Sequence, residues 1–119
     1  MKKILIVEDV DLNRDLLVQL LEDRYQLIEA VNGEQGLVLA SREQPDLILL
    51  DISLPEMDGY EVARRLRADP LLGHIPLIAV TAHAMAGDEQ LAIEQGFDDY
   101  LAKPIDEEKL WAKVEQHLS

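Results

Sequence analysis

Residues 45–59 read PDLILLDISLPEMDG, an apolar block that ends in Asp51 and runs into a loop containing proline and glycine. The block over residues 47–50 is short and wholly apolar, which predicts a strand buried on both faces. Strands of this kind occur in parallel sheets that are covered by helices on both sides. The stretch therefore predicts an α/β fold in which Asp51 stands where a buried strand ends.

Short apolar blocks alternate with longer amphipathic segments along the rest of the chain. Apolar blocks predict strands over residues 4–7, 26–30, 47–50 and 77–80, and the alternation of elements predicts a fifth strand over residues 99–102. The amphipathic segments predict helices over residues 11–23, 34–43, 60–68, 88–95 and 106–118. Asp11 and Asp106 are the expected N-caps of the first and last helices, and Gly96 suits the end of the fourth. This alternation predicts a single domain over residues 1–119, with a parallel sheet and helices on both faces.

The composition limits the kinds of partner that the chain can have. It contains 24 acidic and 11 basic residues and has a net charge of −13. Such a surface repels phosphate backbones and anionic lipids, so we expect no direct nucleic-acid binding and no membrane binding. The sequence has no cysteine, which rules out disulfides, zinc–thiolate sites and thiol nucleophiles. No apolar run approaches the ~18 residues of a membrane span, and we expect a cytoplasmic protein.

Polar side chains follow four of the five predicted strands. They are Glu8 and Asp9, Asp51, Thr81 and Lys103. The carboxyl ends of parallel strands meet at one edge of the sheet, where ligands bind in folds of this class. Strand ends are solvated and often carry polar residues, which would explain any one of these side chains. The complementary chemistry of the whole set instead indicates a functional site.

The chemistry of this set is that of phosphoryl transfer. Three crowded carboxylates raise each other's pKa unless a cation lies between them, and Mg²⁺ suits such hard oxygen ligands. Lys103 adds a mobile positive charge and Thr81 a hydroxyl, both able to hold phosphoryl oxygens. One carboxylate can then act as a nucleophile and form an acyl phosphate. Asp51 is the central candidate because the third strand lies in the middle of the expected sheet.

With these residues at the strand ends, the chain resembles the receiver domains of two-component response regulators, including the single-domain chemotaxis type. The resemblance runs over residues 3–118, which is essentially the whole chain. The matching segments are ILIVED (residues 4–9), residues 45–59, IAVTA (78–82), GF (96–97) and YLAKP (100–104). The expected fold is accordingly a flavodoxin-like, doubly wound parallel sheet in the strand order 2-1-3-4-5.

The resemblance implies a role for each residue of the site. Asp51 is the phosphoacceptor, and Mg²⁺, with Mn²⁺ as a substitute, is held by Glu8, Asp9, Asp51 and the backbone carbonyl of Ser53. The residues implied to bind the phosphoryl group and to carry the switch are Thr81, Lys103 and Tyr100. A cis bond is implied at Lys103–Pro104, and Ser53 and His83 are implied to tune dephosphorylation. Simple packing remains the alternative for Tyr100, and a solvated loop residue the alternative for His83.

The implied function is a phosphorylation-dependent signalling switch. A histidine kinase or histidine phosphotransfer protein donates the phosphoryl group, and the domain catalyses only its own phosphoryl transfer and autodephosphorylation, so it is not a metabolic enzyme. Movement of Thr81 would let Tyr100 rotate into space beside strand four and alter the face of helix 4, strand 5 and helix 5, where a downstream protein binds. Trp111 belongs either to that face or to the boundary of the core. Because the receiver pattern fills the chain, we expect a stand-alone regulator, with a receiver from a hybrid kinase or larger regulator as the alternative.

Three rival functions are disfavoured by particular residues. A flavin-binding protein of this topology needs a neutral phosphate loop after strand one, and the acidic residues 8–11 would repel that phosphate. Phosphatases with an aspartate nucleophile carry two aspartates separated by one residue. In this chain Ser53 stands where the second aspartate would be. A receiver-like module that has lost phosphorylation is disfavoured because the acidic set, Thr81 and Lys103 are all present.

Overall fold

The structure is a computed structural model and describes residues 1–82 and 87–118. Its strands are β1 (Lys3–Val7), β2 (Gln26–Ala30), β3 (Leu47–Asp51), β4 (Leu77–Thr81) and β5 (Asp99–Ala102). Its helices are α1 (Asp11–Leu21), α2 (Gly33–Glu43), α3 (Gly59–Ala68), α4 (Asp88–Glu94) and α5 (Glu107–Leu118). No helix in the described part of the chain is both long and apolar enough to cross a membrane.

The strands form one parallel sheet in the order β2-β1-β3-β4-β5, which confirms the predicted fold. The side chains of each strand alternate between two hydrophobic layers. Leu5 and Val7 of β1 contribute to the layer under α2 and α3, whereas Ile4 and Ile6 contribute to the layer under α1 and α5. The three central strands are therefore buried on both faces, as their apolar sequences predict.

Two strands extend one residue further at their carboxyl ends than predicted. β3 ends at Asp51 and β4 at Thr81, because Asp51 pairs with Val80 and Thr81 with Ala102. Hydropathy marks only the apolar part of a strand, whereas ladder pairing continues through a polar residue that has a neighbouring strand. Both polar side chains are therefore held by the sheet itself and do not belong to the loops.

The helix caps agree with the prediction at one end of the chain and differ at the other. Asp106 caps α5, where its Oδ1 accepts hydrogen bonds from the N–H groups of Glu108 and Lys109. The prediction that Asp11 caps α1 is wrong: Val10 occupies the cap position and makes no side-chain bond. The Asp11 carboxylate instead accepts from Arg14 Nη2 at 2.7 Å. Gly96 has the left-handed φ of 110° that suits a glycine after a helix.

Candidate functional site

The candidate site lies at the carboxyl edge of the sheet, where β1, β3, β4 and β5 end side by side. Three polar residues are buried there, namely Glu8, Asp51 and Thr81, with exposed fractions of 1%, 3% and 1%. Asp9 follows Glu8 and is half-buried. Burying polar groups is costly unless they are paired, so this edge is built around interactions between these side chains.

The three carboxylates converge on one point. A carboxylate oxygen from each of Glu8, Asp9 and Asp51 lies within 4.8 Å of the other two. β1 supplies the first two residues directly after its last paired position, and β3 supplies the third as its last residue. The neighbouring positions of β1 and β3 in the sheet thus bring together residues that are far apart in the sequence.

Lys103 provides the positive charge of the cluster. Its Nζ donates to Glu8 Oε1 at 2.6 Å and to Asp51 Oδ2 at 3.3 Å. The Lys103 N–H donates to the Thr81 carbonyl at 2.8 Å, and the following bond to Pro104 is cis. Burial lowers the pKa of Lys103, but the contacts with Glu8 and Asp51 outweigh it and raise the pKa above its usual value. The ammonium group is therefore held in the charged form beside both carboxylates.

The surroundings of the buried carboxylates favour a nearby positive charge. Burial, assisted by the charge of Asp51, raises the pKa of Glu8 despite the opposing hydrogen bonds from Lys103 and from the N–H of Val10. Removing hard, crowded oxygen ligands from water favours binding of either a proton or a cation. Three carboxylates in this arrangement fit the ligand preference of Mg²⁺, which accepts a few carboxylates and retains water elsewhere in its shell.

The loop after β3 holds the Asp51 side chain and the backbone at the end of the strand. Asp51 Oδ1 accepts from the N–H of Ser53 at 2.9 Å, and the N–H of Gly59 donates to the Ile52 carbonyl at 2.9 Å. A Cβ at Gly59 would lie 2.6 Å from the Asp51 carbonyl oxygen, closer than real Cβ contacts come. A glycine is therefore required where α3 begins, because its backbone packs directly against the end of β3. Ser53 itself is exposed at the rim of the site.

The two residues expected to carry a switch lie on adjacent strands. Thr81 ends β4, and Tyr100 in β5 pairs with Ala79. Tyr100 is 8% exposed and packs in the core layer that includes Ala92 and Phe97. Its burial, together with the charge of Asp88, raises its pKa. Tyr100 is therefore largely buried in this structure, and its role in a switch stays a prediction.

Trp111 occupies the core boundary, one of its two predicted placements. Its indole N–H donates to the Leu20 carbonyl of α1 at 2.8 Å, and the Arg24 guanidinium lies 4.9 Å from the ring centroid. These contacts place the ring between α5 and α1. His83, expected to tune dephosphorylation, lies outside the described residues.

Arg14 is a component of the site that the sequence did not indicate. Its Nη1 donates to the backbone carbonyl of Glu8 at 2.9 Å, and its other contacts are with Asp11 and Glu29. The spacing of Asp11 and Arg14 indicates a pair on the surface of a helix. The contact with Glu8 depends on how α1 returns along the end of β1, and no local pattern contains that information.

Comparisons with known proteins agree on one family. A family model described as the response regulator receiver domain matches residues 4–115. The polar-differentiation response regulator DivK of Brucella anthropi is 44% identical over 118 residues, covering 98% of this chain and 96% of DivK. The response regulator PleD of Caulobacter vibrioides is 42% identical over 113 residues, or 94% of this chain, which spans only 25% of PleD.

Solved structures show the same fold in known receiver domains. One is the receiver domain of a Pseudomonas aeruginosa sensor histidine kinase with a magnesium ion coordinated in its active site cleft; it has a TM-score of 0.91 and 34% identity, covering 98% of this chain and 97% of that one. Another is the receiver domain of a signal transduction histidine kinase from Syntrophus aciditrophicus, with a TM-score of 0.90 and 36% identity, covering 99% and 90%.

Proposed function

Because this chain belongs to the response regulator receiver domain family, we propose that it is a phosphorylation switch whose phosphoacceptor is Asp51. The observation that carries the proposal is the convergence of three carboxylates and one ammonium group at the end of β3. Asp51 is the member of this cluster that touches Lys103 and also lies in the central strand. It is thus the carboxylate best placed to accept a group that the others surround.

Mg²⁺ would be held by Glu8, Asp9, Asp51 and the backbone carbonyl of Ser53, with Mn²⁺ as a substitute. The carboxylate cluster and the magnesium reported in the Pseudomonas receiver domain both support this assignment. When bound, the ion screens the negative charge of the phosphoryl oxygens. Glu8 and Asp9 serve as ligands and Asp51 keeps one oxygen for the reaction.

Asp51 supplies the nucleophile for phosphoryl transfer. One of its carboxylate oxygens forms a bond to phosphorus while the phosphorus–nitrogen bond of a donor phosphohistidine breaks, and the histidine nitrogen keeps the electron pair. The donor is a histidine kinase or a histidine phosphotransfer protein. The domain catalyses this step and its own dephosphorylation, and it does not turn over free substrates.

Lys103 and Thr81 would bind the new phosphoryl oxygens. The lysine stem lets Nζ shift from the carboxylates toward the phosphoryl group, and the Thr81 hydroxyl donates a hydrogen bond to a second oxygen. Thr81 pairs with Ala102 in β5, two residues beyond Tyr100. Tyr100 is buried in this structure. Phosphorylation would stabilise this conformation if the phosphoryl group makes contacts in it that other conformations lack. The resulting change would reach a downstream protein through the face of α4, β5 and α5.

The hydrolysis of the phosphorylated form would be tuned by residues at the rim of the site. Ser53 is exposed two residues after the acceptor, where a side chain can restrict the approach of water to the acyl phosphate. His83 is proposed for the same role on its position in the sequence alone.

We favour a stand-alone, cytoplasmic response regulator of the DivK type, since the similarity covers nearly the whole of DivK. The alternative is a receiver from a larger protein. It is supported by PleD, of which this chain matches a quarter, and by the similarity to receiver domains of histidine kinases.

Mass spectrometry after incubation with acetyl phosphate and Mg²⁺ tests the proposal. We expect the wild-type chain to gain one phosphoryl group and Asp51→Asn to gain none, because an amide is not a carboxylate nucleophile. Asp23→Asn is the matched control, since it makes the same charge change at an exposed residue of the α1–β2 connection and should react as wild type does. A full phosphoryl adduct on Asp51→Asn would disprove the assignment.

A further inference from the structure

We propose that Arg14 is a positioning residue for the metal-binding segment, acting through the backbone of Glu8. Its guanidinium group holds the Glu8 carbonyl and thereby aims the carboxylates of Glu8 and Asp9 at Asp51. The inference rests on the proposed function, since it assumes that these carboxylates bind a cation. It adds a residue of α1 to a site otherwise built from strand ends.

Each of the three guanidinium nitrogens of Arg14 donates a hydrogen bond. Nη1 donates to the Glu8 carbonyl at 2.9 Å, Nη2 to Asp11 Oδ1 at 2.7 Å, and Nε to Glu29 Oε1 at 3.2 Å. The side chain is only 13% exposed, whereas those of its carboxylate partners Asp11 and Glu29 are 83% and 47% exposed. A guanidinium group fixed in this way joins three separate elements, namely the end of β1, the first turn of α1 and β2.

Glu8 needs this support because it lies beyond the last paired residue of β1. The pairing of β1 with β3 ends at Val7, and the Glu8 N–H makes one further bond to the Ala30 carbonyl at 3.0 Å. The Glu8 carbonyl has passed the end of the ladder, where Arg14 takes over as its donor. The Glu8 backbone is therefore fixed from both sides, by Ala30 at the nitrogen and by Arg14 at the oxygen.

The contacts of Arg14 distinguish a geometric role from a simple charge effect. The guanidinium contacts the backbone of Glu8, whereas the Glu8 carboxylate is paired with Lys103. Two other carboxylates, on Asp11 and Glu29, already balance the charge of Arg14. What it contributes at this point is a rigid fork of donors, which a lysine ammonium cannot reproduce even though it carries the same charge.

The test compares Arg14→Lys and Arg14→Gln with the wild-type chain. Two quantities are measured: the Mg²⁺ concentration that gives half-maximal phosphorylation by acetyl phosphate, and the rise in melting temperature that Mg²⁺ produces relative to EDTA. We expect both variants to need about tenfold more Mg²⁺, the lower range for losing a residue that orients a metal ligand. The phosphorylation rate at saturating Mg²⁺ should change much less, which a general loss of structure would not allow.

Arg42→Gln is the matched control, because it removes one positive charge from an exposed position in the last turn of α2. It should retain the wild-type Mg²⁺ requirement. An Arg14→Lys variant with the wild-type requirement would overturn the inference, because charge alone would then suffice. A wild-type chain that shows no response to Mg²⁺ in either measurement would instead overturn the proposed function. If Arg14→Gln fails to fold, Arg14→Lys alone decides the question.

Discussion

Gln44 and Glu56 both adopt a left-handed φ, of 45° and 66°. Gln44 ends α2, and its N–H donates to the Ala40 carbonyl at 2.9 Å while its side chain is exposed. The left-handed region costs a residue with a Cβ about 1–2 kcal/mol, whereas glycine enters it without that penalty. Gln44 is thus a position where the sequence conflicts with the local backbone, and it lies far from the candidate site.

We expect Gln44→Gly to raise the free energy of unfolding by about 0.5–1 kcal/mol, once the greater entropy of glycine in the unfolded chain is subtracted. Urea denaturation followed by circular dichroism measures the change. Gln44→Ala is the control, since it removes the same side chain but keeps the Cβ and should bring no gain. Equal stabilities for the two variants would show that the backbone conformation is not the cause.

Individual site residues could be predicted from the sequence where the fold alone determines their position. Glu8, Asp51 and Lys103 could be placed together because each stands at or just after the end of a parallel strand. Arg14 could not, because a long side chain reaches partners that only the packed structure brings near. The same residue explains the wrong cap at Asp11, whose carboxylate binds a guanidinium group that the cap prediction did not consider.

β5 pairs with β4 and is also held by side chains of α5. Asp99 begins the strand, its Oδ1 accepts from Lys113 Nζ at 2.7 Å, and its Oδ2 lies 3.0 Å from His117 Nε2. Lys113 also donates to the Tyr100 carbonyl at 2.6 Å. Residues 99–102 have poor strand propensity, so the alternation of elements indicated a strand that local sequence did not. Side chains of the following helix supply the interactions that β5 itself lacks.

We expect these contacts to make the free energy of unfolding depend on pH in the acid range. Burial raises the pKa of Asp99, but the hydrogen bonds from Lys113, His117 and the N–H of Tyr100 outweigh it and hold the pKa below its ordinary value of 3.8. A carboxyl group whose pKa is lowered by folding stabilises the protein above its unfolded pKa, and that contribution is lost as the pH falls through the folded pKa. Asp99→Asn should therefore lower the free energy of unfolding by about 1.5–3 kcal/mol at neutral pH, the contribution of a hydrogen bond to a charged group.

Chemical denaturation at pH 7 and at about pH 2–3 measures this dependence. The difference in the free energy of unfolding between wild type and Asp99→Asn should be smaller at the acid pH. Asp23→Asn, a substitution at an exposed residue, should differ little from wild type in free energy of unfolding at both pH values. A gap for Asp99→Asn that is as large in acid as at neutral pH would contradict the assignment.

Across the whole molecule, the sheet connects the candidate site to its edge strand. Thr81 ends β4 beside Ala102, and Tyr100 lies two residues back in β5 with its ring in the core. The parallel sheet with helices on both faces could be predicted from the alternation of elements, because parallel crossover connections permit few arrangements, whereas the strand order came from the resemblance to receiver domains. The inward position of Tyr100 could not, since side-chain conformation depends on packing that no periodicity describes.

We expect Thr81→Ala to accept phosphate but to show a weaker response across the sheet. A ligand can favour one conformation only through contacts that differ between conformations, and the Thr81 hydroxyl supplies such a contact. Amide NMR shifts with and without beryllofluoride, a mimic of the phosphoryl group, measure the response over residues 87–104. Thr81→Ser keeps the hydroxyl and should retain the wild-type shifts. Wild-type shifts in Thr81→Ala would show that the signal takes another route.

Lys103 contacts two carboxylates before any phosphoryl group arrives, at 2.6 Å from Glu8 and 3.3 Å from Asp51. In the proposed reaction, a phosphoryl oxygen on Asp51 would take over one of these contacts, so that one ion pair would replace another. Lys103 would then give up an existing partner to gain a new one, and it would stabilise the phosphorylated form only by the difference between the two contacts. Lys103 would thus be a shared counterion, occupied both before and after the reaction.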